Sequence, residues 1–427
     1  MSRSRVASLF TLLLVVSCAE PAAPPPVAPP PPPVATAAPL ARVNPLLAPS
    51  PLVFQAPPFD RIHDDDYEPA IEEGMKQQLA EVARIADDAS PPTFANTLAA
   101  MEKTGALLTR ATKIFFNLGQ SNTNDTLQKA QARLAPKLAA HSDAIFLNAK
   151  LFARIKAVYD ARAKLGLDPE SMHLVERYHL NFVRAGAELG EADKTKLRAL
   201  NEEESSLTTE FQEKLLKDTN DSAVVVDSKA ELDGMSDADV AGAAEAAKAR
   251  KLDGKWVIAL QNTTTQPALV TLKSRALRER IYKASIQRGN RGNANDLKKV
   301  ITRLAAIREQ RGKLLGYPNA AAYILGDQMA KTPAAVDKLL GDLAPAAVSN
   351  AKAELAKLQA VVDKQKGGFK VAPWDWAFYS EQVRKAQYDL DEAQIKPYFE
   401  LDRVLKDGIF FAANKLFGLT FKQRTDI

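Results

Sequence analysis

The chain has 427 residues, of which 46% are hydrophobic and 26% are charged, and its formal net charge is +5. These values are ordinary for a soluble globular protein and supply enough apolar residues for two domains or one large two-lobed body. Because Lys and Arg alternate with Asp and Glu along the chain, the charge pattern argues against a nucleic-acid-binding protein.

The N-terminus has the pattern of a bacterial lipoprotein signal. A basic start is followed by an apolar run, Val6–Val16, that is too short to cross a membrane, and then by the chain's only cysteine, Cys18. The residues Val15–Ser17 before it resemble a lipobox. We therefore expect a signal peptide at 1–17 and acylation of Cys18, which would hold the protein on a membrane surface. A buried cysteine is the alternative.

A proline-rich spacer is predicted for residues 18–58, which contain more than half of the 26 prolines. Proline removes backbone donors and fixes φ, so such a segment forms an extended spacer rather than a core. A proline-binding partner is the less favoured alternative. Ala19, rather than Asp, follows the cysteine and is typical of lipoproteins sent to the outer membrane. We therefore expect the protein in the cell envelope, facing the periplasm.

From Phe59 onward the periodicity predicts helices. The first spans Tyr67–Ala86, and Thr93 is predicted to cap the next. Further helices are expected at Thr126–Ala140, Asp143–Leu165, Pro169–Ala187 and Glu191–Lys217, the last with an apolar seam from Leu197 to Leu215. Two β-rich runs, Ala223–Val226 and Trp256–Leu260, are predicted to pair around a helical excursion at Leu232–Lys251.

The second half is also predicted to be helical. Arg275, Arg278, Glu279 and Arg280 suggest ion pairs on the outside of one helix, and the glycine-containing stretch Gly289–Asn293 is interpreted as a turn. Helices are expected at Asp296–Leu315 and from Thr332 to about Lys364, with a break at Pro345. Near the end, Gly418 is predicted to terminate a helix and Leu419–Phe421 to begin a strand. That last helix has an apolar stripe expected to be buried, formed by Leu401, Val404, Leu405, Ile409, Ala412 and Leu416.

The four histidines do not form a metal-binding pattern. His173 and His179 lie about 240° apart around one predicted helix, so they cannot hold one metal ion from one face. His141 stands alone, and His63 opens an acidic turn, 63–66, that is better explained as a helix start than as a metal cluster. The sequence has no His-Glu-x-x-His, no histidine after His179 and no Gly-x-Ser-x-Gly. We expect no catalytic residue and no metal ligand in this chain.

An aromatic group, Trp374, Trp376, Phe378 and Tyr379, allows two interpretations. It could line a peptide channel, or it could form a packed core against Pro397–Phe399, which we favour. Several stretches resemble the thimet-oligopeptidase-like (M3) zinc peptidases, and within them the peptidyl-dipeptidases of the Dcp type. They are FDRIHDDDYEPAIEEGM, PPTFANTLAAMEKTG, NTNDTLQ, LQNTTTQPALVTLKSRALRERIYKASIQRGNRGNAND, WDWAFY, KPYFEL and NKLFGL.

The resemblance implies a mainly α fold, a helical, bilobed, neurolysin-like peptidase body with a small β-hairpin. An N-terminal helical region would span 59–270, and the start of the catalytic domain, without its zinc-binding helix, would span 271–427. It implies a monomer that uses zinc to hydrolyse short peptides and release C-terminal dipeptides. Because the zinc ligands are missing, residues 1–427 alone are expected to bind no zinc and to be inactive. The alternative is a non-catalytic, lipid-anchored peptide-binding or scaffolding protein.

Overall fold

The computed structural model describes residues 42–261, 266–388 and 392–425. Within these ranges the fold is mainly α, as predicted, and the only sheet has two strands. None of the described helices is long and apolar enough to cross a membrane. The predicted signal peptide, Cys18 and the first part of the predicted spacer lie outside the described residues.

Side-chain caps from Asn124, Asn148 and Asp168 begin three of the helices that precede the sheet, because these short polar side chains satisfy N–H groups at a helix start. Thr93 caps the π-helical turn Phe94–Leu98 as predicted. The cap at Asn148 begins the helix Ala149–Ala161, so the boundary with the preceding helix lies after Phe146 and not between Ala140 and Asp143 as predicted. The helices are α1 (Tyr67–Ala86), α2 (Ala99–Met101), α3 (Ala106–Ser121), α4 (Asp125–Phe146), α5 (Ala149–Ala161), α6 (Pro169–Ala185) and α7 (Glu191–Asp221).

The end of the predicted spacer is packed onto this helical body. Leu46 is buried in the core that α1 shares with α3 and α4. The guanidinium group of Arg110 donates a hydrogen bond to the carbonyl oxygen of Leu46 at 3.0 Å, and the side-chain amide of Asn44 donates to the carbonyl oxygen of Asp66 at 2.8 Å. The folded body therefore includes Asn44 and Leu46, which precede the change in composition at Phe59.

The two β-rich runs pair as predicted. Strands β1 (Val224–Val226) and β2 (Trp256–Ile258) are antiparallel, with Val224 opposite Ile258. Helix α8 (Asp237–Lys248) forms the excursion between them, and α9 (Ala268–Thr271) follows. The sheet packs on α10 (Arg275–Ile286) through an apolar cluster that includes Val226, Ile258, Leu277 and Ile281.

A buried carboxylate, Asp218, fixes the glycine-containing turn that follows α10. Its side chain accepts hydrogen bonds from the backbone N–H of Gly289 at 2.9 Å and from Nε of Arg291 at 3.2 Å. The turn leads into α11 (Lys298–Leu314), which packs on the predicted seam of α7 through Leu297, Val300 and Leu304 against Leu207, Phe211 and Leu215. The interpretation of 289–293 as a turn is confirmed.

The C-terminal helices are α12 (Ala320–Leu325), α13 (Pro333–Lys364), α14 (Trp376–Tyr388), α15 (Glu392–Ile395), α16 (Leu401–Arg403) and α17 (Phe411–Phe417), with a π-helical turn at Val404–Phe410. Thr332 caps α13 as predicted, but the break at Pro345 is wrong, because α13 continues through it. A single proline removes one backbone donor, and the surrounding Ala and Leu residues are strong helix formers. Gly418 has φ +67° and ends α17 as predicted.

Two predictions for the last segment are wrong. Most of the apolar stripe from Leu401 to Leu416 is exposed, with 76% of Leu401 accessible to solvent, because none of the described helices covers it. Only Val404 and Leu405 are half-buried. Leu419–Phe421 is not a strand, because no second strand lies beside it among the described residues. Instead the ring of Phe421 stacks on that of Phe410, with the centroids 4.1 Å apart.

Candidate functional site

Two of the histidines contact side chains of neighbouring helices. Nε2 of His141 is 2.7 Å from the side-chain oxygen of Gln78. His179 stacks on the ring of Tyr159 at a centroid distance of 3.8 Å. Burial lowers the pKa of both histidines below the usual value, which favours the neutral form. His173, on the same helix as His179, is exposed.

The described residues do not fit a metal centre. No group of three or more His, Cys, Asp or Glu side chains within them is placed so that it could hold a metal ion. The acidic turn after His63 is a helix start, because Oδ2 of Asp66 accepts a hydrogen bond from the backbone N–H of His63 at 2.7 Å, directly before α1. We therefore derive no chemical step through a metal from these residues.

A buried ion cluster joins α10 to the start of α14. Asp375 is completely buried, and its carboxylate accepts hydrogen bonds from Nη2 of Arg275 at 2.9 Å and from Nη2 of Arg278 at 2.8 Å. The backbone N–H of Ala372 donates to the same carboxylate at 3.0 Å. The cluster thus links positions about a hundred residues apart in the chain.

The cluster also determines which way the two arginines point. Nη1 of Arg278 donates to the carbonyl oxygen of Leu272 at 2.8 Å. The guanidinium group of Arg278 lies 4.3 Å from the ring centroid of Phe378, and that of Arg275 lies 4.2 Å from the ring centroid of Phe369. Such cation–π contacts add to the charge pairing where water is excluded.

Burial by itself would raise the pKa of Asp375, but the hydrogen bonds from Arg275 and Arg278 outweigh it and hold the pKa below its usual value. The carboxylate is therefore ionised at neutral pH. Its negative charge lies between two guanidinium groups, and both of them donate hydrogen bonds to it. The cluster holds α10 and α14 together and does not present a free acid or base.

An apolar pocket of about 480 Å³ lies next to this cluster. Ala372 and Pro373, which precede Asp375, form part of its wall, so the cluster fixes the position of that wall. The volume falls in the range of pockets that bind small ligands. The pocket is lined by Leu269, Tyr282, Leu355, Val371, Ala372, Pro373, Trp376 and Ala377. Its only polar side-chain groups are the Tyr282 hydroxyl and the Trp376 indole N–H, so it can bind an apolar group but has no side chain suited to act as a nucleophile.

Sequence reasoning missed the cluster and placed the arginines on the outside. Arg278 is only 1% exposed, whereas Glu279 forms its ion pair with Lys283 and Arg280 with Glu231. The signal available was the apolar spacing of α10, since Arg278 lies one helical turn before the buried Ile281. Its partner lies 97 residues away, and no local pattern points to it.

Three of the four aromatic residues have the core role that we favoured, with a partner other than Pro397–Phe399, whereas Trp374 lies beside Tyr282 with the ring centroids 6.1 Å apart. Tyr379 is buried against Leu358 and Val362 near the end of α13, and Trp376 and Phe378 pack around it. Tyr398 and Phe399 are exposed and do not cover this core. Trp376 also lines the apolar pocket, so one residue of the group has a surface that a ligand or another helix could contact.

Comparison with known proteins gives a family for the second part of the chain. The model described as peptidase family M3 matches residues 268–427. These residues contain α10, the ion cluster, the apolar pocket and the C-terminal helices.

The similarity to individual relatives covers almost all of the chain. It is 49% identical to the dipeptidyl carboxypeptidase of Escherichia coli over 388 residues, which cover 91% of this chain and 57% of that protein. It is 46% identical to the Salmonella typhimurium protein of the same name over 384 residues, 90% of this chain and 56% of the relative. It is 26% identical to oligopeptidase A of Escherichia coli over 388 residues, again 90% and 56%. The chain therefore spans a little over half the length of each of these three relatives.

Proposed function

This chain belongs to peptidase family M3, and from that premise we propose that the protein acts as a peptidyl-dipeptidase, which removes dipeptides from the C-terminus of short peptides. The observation that carries the proposal is the difference in identity. The chain is 49% identical to a dipeptidyl carboxypeptidase and 26% identical to an oligopeptidase A over stretches of the same length. The sequence is thus much nearer to the relative that is named for dipeptide release.

The proposed activity depends on zinc, as is general in metallopeptidases of this family, and we propose that its ligands lie outside residues 1–427. This proposal agrees with the described residues, which provide no set of metal ligands, and with the sequence, which has no histidine after His179. Residues 1–427 by themselves are then inactive. Their contribution is structural: the buried ion cluster holds α10 and α14 in place beside the apolar pocket.

We further propose that the protein is a monomer held at the periplasmic face of the outer membrane through Cys18. Asn44 belongs to the folded body, and 25 residues lie between Cys18 and this position. At roughly 3.1 Å per residue, an extended proline-rich segment of this length would reach about 80 Å. Mass spectrometry of the N-terminal peptide, with membrane fractionation of a Cys18→Ala variant, tests the anchor. An unacylated Cys18 would contradict it.

A second candidate is a lipid-anchored protein that binds peptides without cleaving them. The lack of a metal-ligand group among the described residues favours it, as does the apolar pocket. Sequencing the reading frame beyond the Ile427 codon distinguishes the two proposals. A frame that continues and encodes His-Glu-x-x-His supports the peptidase. A stop codon, together with an intact mass that matches 427 residues, contradicts it and leaves the binding protein.

A further inference from the structure

Helix α13 has a continuous apolar stripe that is buried at one end only. From Leu340 to Val362 the stripe follows spacings of three and four residues, and its members lie within a sector of roughly 80° of the helix. The members are Leu340, Ala344, Val348, Ala351, Leu355, Leu358 and Val362. Leu358 and Val362 are buried, whereas Leu340 is 58% and Val348 is 52% exposed.

The exposed part of the stripe has the pattern of a helix-packing seam. Large residues alternate with alanines, so the side chains of Leu340, Val348 and Leu355 stand on either side of shallow hollows at Ala344 and Ala351. Spacings of three and four with such hollows suit the side chains of a second helix. Leu355 also lines the apolar pocket, so the seam leads directly into it.

We propose that the exposed part of the α13 stripe, with the adjoining pocket, is the packing face for an apolar helix from the part of the M3 peptidase that this chain does not span. The proposal rests on the proposed function, because it takes its occupant from the same family. The helix would lie along about 24 Å of α13, at 1.5 Å per residue from Leu340 to Leu355. Apolar side chains of that helix would enter the pocket.

Two observations favour this occupant. The stripe lies within the residues that match the family, 268–427, and the Escherichia coli relative has 43% of its length (100% minus 57%) outside the aligned region. The charges of α13 argue against a membrane surface, because its four Lys are balanced by three Asp and one Glu. A helix that lies on anionic lipid has an excess of Lys and Arg on its polar face.

Binding between two separately encoded parts tests the proposal. The 427-residue chain, made by cell-free synthesis without acylation, is co-synthesised with the part of the Escherichia coli dipeptidyl carboxypeptidase that lies outside the aligned region. The two are expected to co-elute in a one-to-one complex. A Leu340→Glu, Val348→Glu double variant should weaken the complex at least about tenfold, because it places two charges in a seam that the partner buries.

The matched control is an Ala346→Glu, Ala353→Glu double variant, which adds the same charge to exposed positions on the opposite face of α13. It should bind like the unmodified chain. Circular dichroism confirms that both variants remain folded, as expected for changes at exposed sites.

The outcomes separate this inference from the proposed function. Loss of the complex in the stripe variant alone supports the inference. Equal binding of the stripe and control variants overturns it. A dimer of the 427-residue chain that the stripe variant abolishes, with no capture of the second part, also overturns it and makes a second copy the occupant. A specific complex without dipeptide release upholds the inference and counts against the proposed function.

Discussion

Replacement of Asp375 by asparagine should destabilise the protein strongly. The variant keeps the size of the side chain and removes its charge. Arg278, only 1% exposed, would then be a buried cation whose carboxylate partner at 2.8 Å has become a neutral amide. Arg275 would lose its hydrogen bonds from Nε and Nη2 to Oδ2 in the same change, and an amide oxygen in place of Oδ1 would keep only the one from Nε.

The expected magnitude follows from the burial of the cluster. Breaking a buried ion pair by removal of one partner typically costs about 3–5 kcal/mol, because the remaining charge stays desolvated. The Leu272 carbonyl oxygen still accepts a hydrogen bond from Nη1 of Arg278, so we expect Asp375→Asn to fall near the lower end, at about 3 kcal/mol. A loss of this size is a substantial fraction of the stability of a typical domain.

Urea denaturation followed by circular dichroism measures the effect. The matched control is Asp233→Asn, which removes the carboxylate of an exposed pair with Lys273 and should leave the midpoint unchanged. If Asp375→Asn and the control had the same midpoint, the claim that the cluster holds α10 to α14 would be refuted.

The same cluster predicts a pH dependence. The folded-state pKa of Asp375 is lowered, so the carboxylate contributes stability that is present above its ordinary pKa of 3.8 and is lost as the pH falls through the lowered value. Denaturation midpoints of the unmodified chain should therefore decline more steeply below pH 4 than those of Asp375→Asn, and parallel curves would contradict this. In the turn after α10, Gly289→Ala should cost about 1–3 kcal/mol, because φ is +66° and a Cβ would lie 2.6 Å from Cδ1 of Leu297. Gly292→Ala, at φ +69° with open space around it, should cost less by urea denaturation, and equal losses would argue against the steric contact. Pro345→Ala should increase the hydrogen-exchange protection of α13 by up to about 3 kcal/mol, since it restores a backbone donor inside a continuous helix, and unchanged protection would contradict this.

The fold of the described residues up to 314 was largely predictable because local signals agree with the packing there. Tyr67–Ala86 has the predicted bounds, and the seam of α7 packs on α11 as expected. The pairing of two β-rich runs around a helical excursion could be predicted because the apolar runs are bounded by polar residues and glycine.

The candidate site was less predictable, since it depends on contacts between distant parts of the chain. The pairing of Arg278 with Asp375 crosses 97 residues, and an arginine on a helix is ordinarily exposed. The apolar stripe from Leu401 to Leu416 has helical periodicity, which predicts a buried face but does not supply a partner for it. Periodicity alone therefore predicts the helix correctly but predicts incorrectly that its apolar face is buried.

Product analysis tests the central claim most directly. Two reactions are compared: the 427-residue chain alone, and this chain co-synthesised with the part of the Escherichia coli relative that lies outside the aligned region. Each is incubated with a defined oligopeptide, and the products are identified by mass spectrometry. We predict that only the co-synthesised pair releases more C-terminal dipeptides than the part outside the aligned region does by itself. We also predict that a zinc chelator stops this release. Dipeptide release by the 427-residue chain alone, or no release from the verified complex, would contradict the account.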